Sequence, residues 1–428
     1  MHKRILHIAV PSIISNITVP LLGLVDVTIA GHLGSPVYIG AIAVGGMLFN
    51  MVYWIFGFLR MGTSGMTSQA FGSRDLDEVT RLLLRSVGVG VLIALALLVL
   101  QYPLQWVAFR LIEASPEVQA NARLYFYICI WGAPAVLALY SFSGWFIGMQ
   151  NSRFPMFIAI MQNVVNIAAS LSFVFLLGMK VEGIALGTLL AQYAGAGMAV
   201  WLWRRYYGSL RRRWRWRDFA NRRAMARFFQ VNRDIFLRTL CLVATTVFFT
   251  STGARQGDII LAVNTLLMQL FTLFSYVMDG FAYAGEALGG RFYGAGNMPA
   301  FRRTVRCLFV WGLGMAVAFT LLYAAGGQGF LGLLTDEAEV IAASAEFHYW
   351  TLAIPLVSFS AFLLDGLFIG TTSTRWMLQS IFVASLCFFL IYWAGFDRLG
   401  NHALWLAFLV YLGMRGVMEA WLGRKLLW

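Results

Sequence analysis

The sequence predicts an all-α polytopic membrane protein with twelve transmembrane helices in two six-helix lobes. Three observations carry that reading. Of 428 residues, 60% are hydrophobic and only 12% charged, against roughly 25% charged in an average soluble domain. Apolar stretches recur twelve times, each near the ~20 residues that a helix needs to cross hydrocarbon. The chain also matches itself at one constant offset. With a mean hydropathy of +0.73, a soluble globule could not cover its surface with polar groups. An ordinary cytosolic enzyme and a disulfide-stapled secreted domain are both excluded.

The first stretch follows Met1-His2-Lys3-Arg4. That opening resembles a signal sequence, but the apolar run passes Pro11 and Pro20 to about Ala30 without a small-residue cleavage site, as a first span would. Five more stretches fall near 37–62, 82–109, 122–148, 154–178 and 183–203. A second set falls near 230–252, 258–288, 305–325, 340–370, 376–395 and 402–422. Short joints containing polar residues, Gly or Pro separate them.

The net charge of +13 is concentrated in those joints. Lys3, Arg4, Arg74, Arg81, Arg85, Arg153, the 204–227 cluster, Arg291, Arg302, Arg303, Arg306, Arg375, Arg424 and Lys425 fall on one side. Arg110, Lys180, Arg255 and Arg398 fall on the other, with Glu113, Glu117, Asp336, Glu337 and Glu339. The positive-inside rule then places both termini and the middle loop of this multi-pass protein in the cytoplasm. The densest run, Arg211, Arg212, Arg213, Arg215 and Arg217, alternates with Trp214 and Trp216. Such a mixture suits a loop meeting lipid headgroups and gives no reason to invoke nucleic acid. Cys129, Cys241, Cys307 and Cys387 are isolated in apolar segments, so they read as small buried hydrophobes.

At an offset of 222 residues Gly72 meets Gly294, Arg81 meets Arg303, Leu111 meets Leu333, Glu117 meets Glu339 and Tyr127 meets Tyr349. The register continues through Gly144/Gly366, Phe146/Phe368, Ile147/Ile369, Gly148/Gly370 and Arg153/Arg375. Since the offset carries six spans, both halves enter the membrane in the same sense. They are expected to be related by a pseudo-twofold axis along the membrane normal, as in parallel-repeat transporters. The expected division is an N-lobe at 1–206, a basic cytoplasmic linker at 207–225 and a C-lobe at 226–428.

Ionisable residues deep in a span cost several kcal/mol unless they face a cavity or a partner, which makes each a functional candidate. Asp26 closes Val19-Pro20-Leu21-Leu22-Gly23-Leu24-Val25-Asp26 with no basic residue within a helical turn or two. Desolvation without a cation favours its neutral form, as a reversible proton carrier requires; the alternative is a carboxylate bracing a neighbouring helix. In the second half Arg233, Asp234 and Arg238, then Asp279, Glu286 and Asp365, suggest an intramembrane ion-pair network, either a brace or an ion pathway. Asn163 and Asn166 are three apart and share a helix face. Asn16, Tyr140 and Ser143 complete the expected cavity. No GxxxxGK[ST] is present, and the five histidines form no metal-spaced set. Neither an enzyme nor nucleotide-driven transport is expected.

Several phrases resemble the multidrug and toxic compound extrusion (MATE) family, in its bacterial DinF branch. They include Asn16-Ile17-Thr18-Val19-Pro20, Gln69-Ala70-Phe71-Gly72, Asn232-Arg233-Asp234-Ile235-Phe236-Leu237-Arg238, Asp279-Gly280-Phe281-Ala282-Tyr283-Ala284-Gly285-Glu286, Leu364-Asp365-Gly366-Leu367-Phe368-Ile369-Gly370 and Gly400-Asn401-His402-Ala403-Leu404-Trp405. The resemblance covers essentially the whole chain. It implies a drug-sized cavity and export coupled to inward H⁺ or Na⁺ flow. It also implies that Pro11 and, fifteen residues on, Asp26 match a first-helix proline and coupling carboxylate. Asn166 and Thr188 match the family's span-5 asparagine and span-6 threonine. Ser170 stands where many members have a second aspartate, which leaves Asp26 as the obvious N-lobe acid. Asp365 matches a span-10 acid of a related branch. The expected function is antiport of amphipathic cationic drugs or toxic small molecules against H⁺ by alternating access. Neither a cofactor nor an obligate protein partner is expected, and contact is with membrane lipid. The alternatives are a Na⁺-coupled exporter with its ion site in the C-lobe, or a lipid-linked glycan flippase.

Overall fold

The computed structural model describes residues 1–111, 114–213, 221–332 and 337–427. Glu113, Trp214, Arg215, Trp216, Arg217, Leu333 and Asp336, which entered the charge and repeat arguments, lie outside the described residues. Among those described, every regular element is helical, and twelve helices are long and apolar enough to cross a membrane. They are α1 (His2–Gly31), α2 (Pro36–Gly72), α3 (Leu76–Val99), α4 (Pro116–Gly148), α5 (Arg153–Leu176) and α6 (Val181–Leu210). The second set is α7 (Arg222–Arg255), α8 (Asp258–Gly294), α9 (Met298–Gly327), α10 (Ala338–Gly370), α11 (Thr374–Leu399) and α12 (Asn401–Leu427). Helices satisfy every backbone group within the segment, which hydrocarbon demands.

Two boundaries depart from the expected ones. The stretch at 82–109 is two helices, α3 and a separate Gln101–Leu111, with Leu100 between them near φ −89°, ψ 10°. Pro103 sits in the first turn of the second helix, where a missing N–H is tolerated. The linker is also shorter than 207–225: α7 begins at Arg222, where the Asn221 side-chain oxygen accepts the backbone N–H groups of Arg223 and Ala224. Arg85, counted among the loop charges, lies inside α3 and is buried, its Nη1 2.6 Å from Glu78 Oε1 two turns earlier.

The repeat is structural as well as sequential. Offset by 222 residues, the start and end of α2 fall on those of α8, and the start and end of α4 on those of α10. A methyl group on Gly144 would collide with the Arg60 carbonyl, and one on Gly366 with the Ala282 carbonyl. Methyl groups on Gly148 and Gly370 would sit 2.8 and 2.6 Å from the carbonyl oxygens of Ser64 and Glu286. Every partner in these pairs obeys the same offset, so α2 crosses α4 as α8 crosses α10. The turns repeat too. Left-handed backbone occurs at Arg74 and Gly296 (φ 61° and 68°), Gln150 and Thr372 (67° and 54°), and Gly178 and Gly400 (68° and 53°). Each left-handed residue at 74 and 296 follows a helix end closed by the same six-residue bond. Asp75 N–H donates to Ala70 O and Asn297 N–H to Phe292 O, both at 2.9 Å.

The chain divides into two compact units, residues 14–229 and residues 1–13 with 230–428. In the second, Gly280 brings the α8 backbone against Ala9 and Ile13 of α1, and Trp311 Nε1 donates to His2 Nδ1 at 3.0 Å. Those contacts explain why the first thirteen residues group with the later helices. The second unit's apolar core gathers Phe249, Leu267, Phe388, Trp405 and Phe408. Asn264 and Asn401 exchange two 2.9 Å hydrogen bonds beside it. In the first unit α1 continues from residue 14 and meets α5 and α6 through Asn163 and Thr188, and there the isolated carboxylate is found.

Candidate functional site

Asp26 lies near the end of α1 and is 3% exposed. Thr188 Oγ1, on α6, donates to its Oδ2 at 2.9 Å. Asn166, on α5, stands against the same carboxylate, and its Nδ2 donates to Thr188 Oγ1 at 3.1 Å. The order of donors fixes the hydroxyl: because Thr188 Oγ1 accepts from the amide, its single hydrogen points at Asp26. Oδ1 receives no hydrogen bond of normal geometry among the described residues, and no cation pairs with either oxygen. A buried carboxylate held only by neutral dipoles is the least stable way to carry a charge in hydrocarbon.

The scaffold around this trio follows from small residues. Gly187 lets α6 approach Ser170 of α5 closely, so that Thr188, the next residue, reaches the carboxylate. Ser170 is fully buried, and the expected second acid is replaced there by a side chain small enough for that crossing. Gly45 of α2 makes room for the Tyr125 ring of α4. Tyr125 and Cys129 lie within electrostatic reach of Asp26, and Tyr53 adjoins Cys129. These three were not legible as site residues in the sequence. Their only signal is that aromatic rings and a lone cysteine share one face of apolar helices.

The other residues expected at the cavity are spread along α1, α4 and α5. Asn163 donates to the Ala159 carbonyl at 2.9 Å and to the Thr18 carbonyl of α1 at 3.3 Å, two turns before the acid. It therefore holds the α1 backbone and does not bond Asp26. Pro11 is buried and Asn16 half-buried on α1. Tyr140 lies within electrostatic reach of Arg60. Ser143 occupies in α4 the position that Asp365 holds in α10, one residue before the repeated glycines. The repeated scaffold thus carries unlike chemistry in its two halves.

In the second unit Asp365 is 5% exposed and clamped. Arg238 of α7 and Arg415 of α12 both donate to its Oδ2, the latter at 2.5 Å. Glu419, fully buried one turn after Arg415, adjoins Asp365 and accepts from Ser380 Oγ of α11 at 3.1 Å. Two acids and two arginines form a formally neutral tetrad joining three helices, with Ser380 tying in a fourth. The charged neighbours of Asp365 are Arg238, Arg415 and Glu419, and the last two were not among the residues expected there. Asp234 is separate: it pairs with exposed Arg233 at 3.0 Å and accepts from Thr374 Oγ1 at 3.2 Å. Arg415 and Glu419 escaped attention because the last span ends in charged residues, and a basic residue near a helix end reads as an interfacial anchor. Their i, i+4 spacing was the available signal.

Known proteins agree with this architecture. The MatE family model matches residues 11–171 and 235–393. The chain is 37% identical over 433 residues to the DNA damage-inducible protein F of Escherichia coli (strain K12), covering 99% of this chain and 92% of that one. It is 24% identical over 462 residues to a probable multidrug resistance protein NorM of Bradyrhizobium diazoefficiens, covering 98% and 93%. The crystal structure of the Vibrio cholerae MATE transporter VcmN in the bent form shares the fold, with TM-score 0.85 at 18% identity over 100% of this chain and 97% of that one. The chain belongs to the MATE family of multidrug and toxic compound transporters.

Proposed function

We propose that the protein is a secondary antiporter that exports amphipathic cationic small molecules in exchange for H⁺, with Asp26 as the proton site. The observation that carries this reading is the contrast between the two buried aspartates. Asp365 has its charge neutralised by two guanidinium groups. Asp26 has only Thr188 and Asn166, so neutralisation must come from something that arrives and leaves. A proton on Oδ1 satisfies the oxygen that lacks a donor. When the proton leaves, the charge attracts a cationic substrate, and the Tyr53 and Tyr125 rings offer it aromatic faces. Proton and substrate then favour different states of one site, as exchange by alternating access requires. A sodium ion would want several oxygen ligands, and the serine at 170 removes the carboxylate that would have been the second. The arginine clamp on Asp365 leaves little negative charge for a cation in the other unit.

The arginine distribution supports placement in a bacterial inner membrane with both termini cytoplasmic. The test is efflux of a fluorescent cation from proteoliposomes under an imposed pH gradient or an imposed Na⁺ gradient. Wild-type protein should respond to the pH gradient alone, and Asp26→Asn should not respond. Efflux driven by Na⁺ without a pH gradient would overturn the proposal.

A further inference from the structure

We propose that the arginine-bearing end of α9 is a binding site for the headgroup of an anionic phospholipid. Met298, Pro299, Arg302, Arg303 and Arg306 line a concavity of about 700 Å³ there. That is room for a headgroup with one or two phosphates, and guanidinium forks match phosphate oxygens in pairs.

Three independent observations point to lipid. First, the charge is unanswered. All three arginines are exposed, none pairs with an acid among the described residues, and no Asp or Glu occurs anywhere in α9. Second, the arginines continue the membrane-facing stripe of their own helix. Arg302 and Arg306 are followed at spacings of four, three, four and four by Val310, Leu313, Val317 and Leu321, which are 64, 49, 43 and 63% exposed. Large apolar side chains so exposed on a spanning helix face acyl chains, so the arginines above them stand at headgroup level. Third, the site is absent from the other copy of the repeat. The residues at the matching positions are Thr80, Arg81 and Leu84, and Arg81 lies 3.8 Å from Glu78. Positive charge serving only to orient helices would not need three unpaired arginines beside a concavity in one half alone. The acyl-facing stripe below decides between a lipid phosphate and free phosphate, since only the former gains from both.

The test uses the full-length chain in detergent, titrated with phosphatidylglycerol or phosphatidylcholine and read by native mass spectrometry. Wild-type protein should retain phosphatidylglycerol and not phosphatidylcholine. At roughly fivefold per arginine, Arg306→Gln should weaken binding about fivefold, and Arg302→Gln/Arg303→Gln/Arg306→Gln on the order of a hundredfold. Arg204→Gln/Arg205→Gln, which removes two exposed charges at the end of α6, should leave it unchanged. The proposal fails if the triple variant, eluting as a monodisperse species, retains the lipid. It also fails if the α6 variant loses as much, or if inorganic phosphate displaces phosphatidylglycerol at equal concentration.

Discussion

Neutralising either buried aspartate should have opposite consequences for stability and transport. Asp365 Oδ2 receives Arg238 and Arg415, and Arg415 lies 4% exposed and Arg238 7% exposed. Asp365→Asn keeps the volume but removes the counter-charge, leaving two guanidinium groups in a dry interior with only Glu419 nearby. Breaking a buried ion pair from one side costs about 3–5 kcal/mol. Asp26→Asn removes no cation's partner. The amide oxygen still accepts from Thr188, so the change amounts to at most one neutral hydrogen bond, about 1 kcal/mol. Thermal unfolding of the detergent-solubilised protein should therefore show a drop of several degrees for Asp365→Asn and almost none for Asp26→Asn. Adding Arg415→Met to Asp365→Asn should recover part of the loss, because one stranded charge is removed. Proteoliposome efflux should reverse the order: Asp26→Asn folded but inactive, Asp365→Asn active in proportion to the folded fraction. Equal destabilisation by the two substitutions, or a dead but fully stable Asp365→Asn, would refute the assignment of brace and proton site.

The repeated crossings make a paired prediction. Gly144→Ala and Gly366→Ala each force a methyl group into a carbonyl of the facing helix, and both should lower stability by about 1–3 kcal/mol; a benign result at one of them would break the equivalence of the halves. Thr188→Val keeps the shape beside Asp26 but removes the hydroxyl that donates to it at 2.9 Å, so proton-driven efflux should fall while the protein stays folded, whereas Thr188→Ser should retain activity. Ser209→Cys, exposed at the end of α6, should react with an impermeant thiol reagent only after permeabilisation. Labelling of intact cells would reverse the topology.

Much of this molecule is written in its composition and spacing. The number of spans follows from apolar length alone, since hydrocarbon admits only segments that satisfy their own backbone. The repeat is equally local, because Gly144, Gly148, Gly366 and Gly370 must be glycine wherever two backbones touch. Asp26 stands out because a charge in an apolar run has no local explanation. What the chain order could not decide is which distant group each charge meets. Asp365 reads no differently from Asp26 in sequence, yet Arg415, fifty residues away, makes one a clamp, whereas Thr188, 162 residues away, gives the other a neutral donor. Periodicity assigns a residue to a face of its own helix. Which helix packs against that face, and at what height in the membrane, is set by tertiary packing, and the electrostatic character of a buried carboxylate depends on little else.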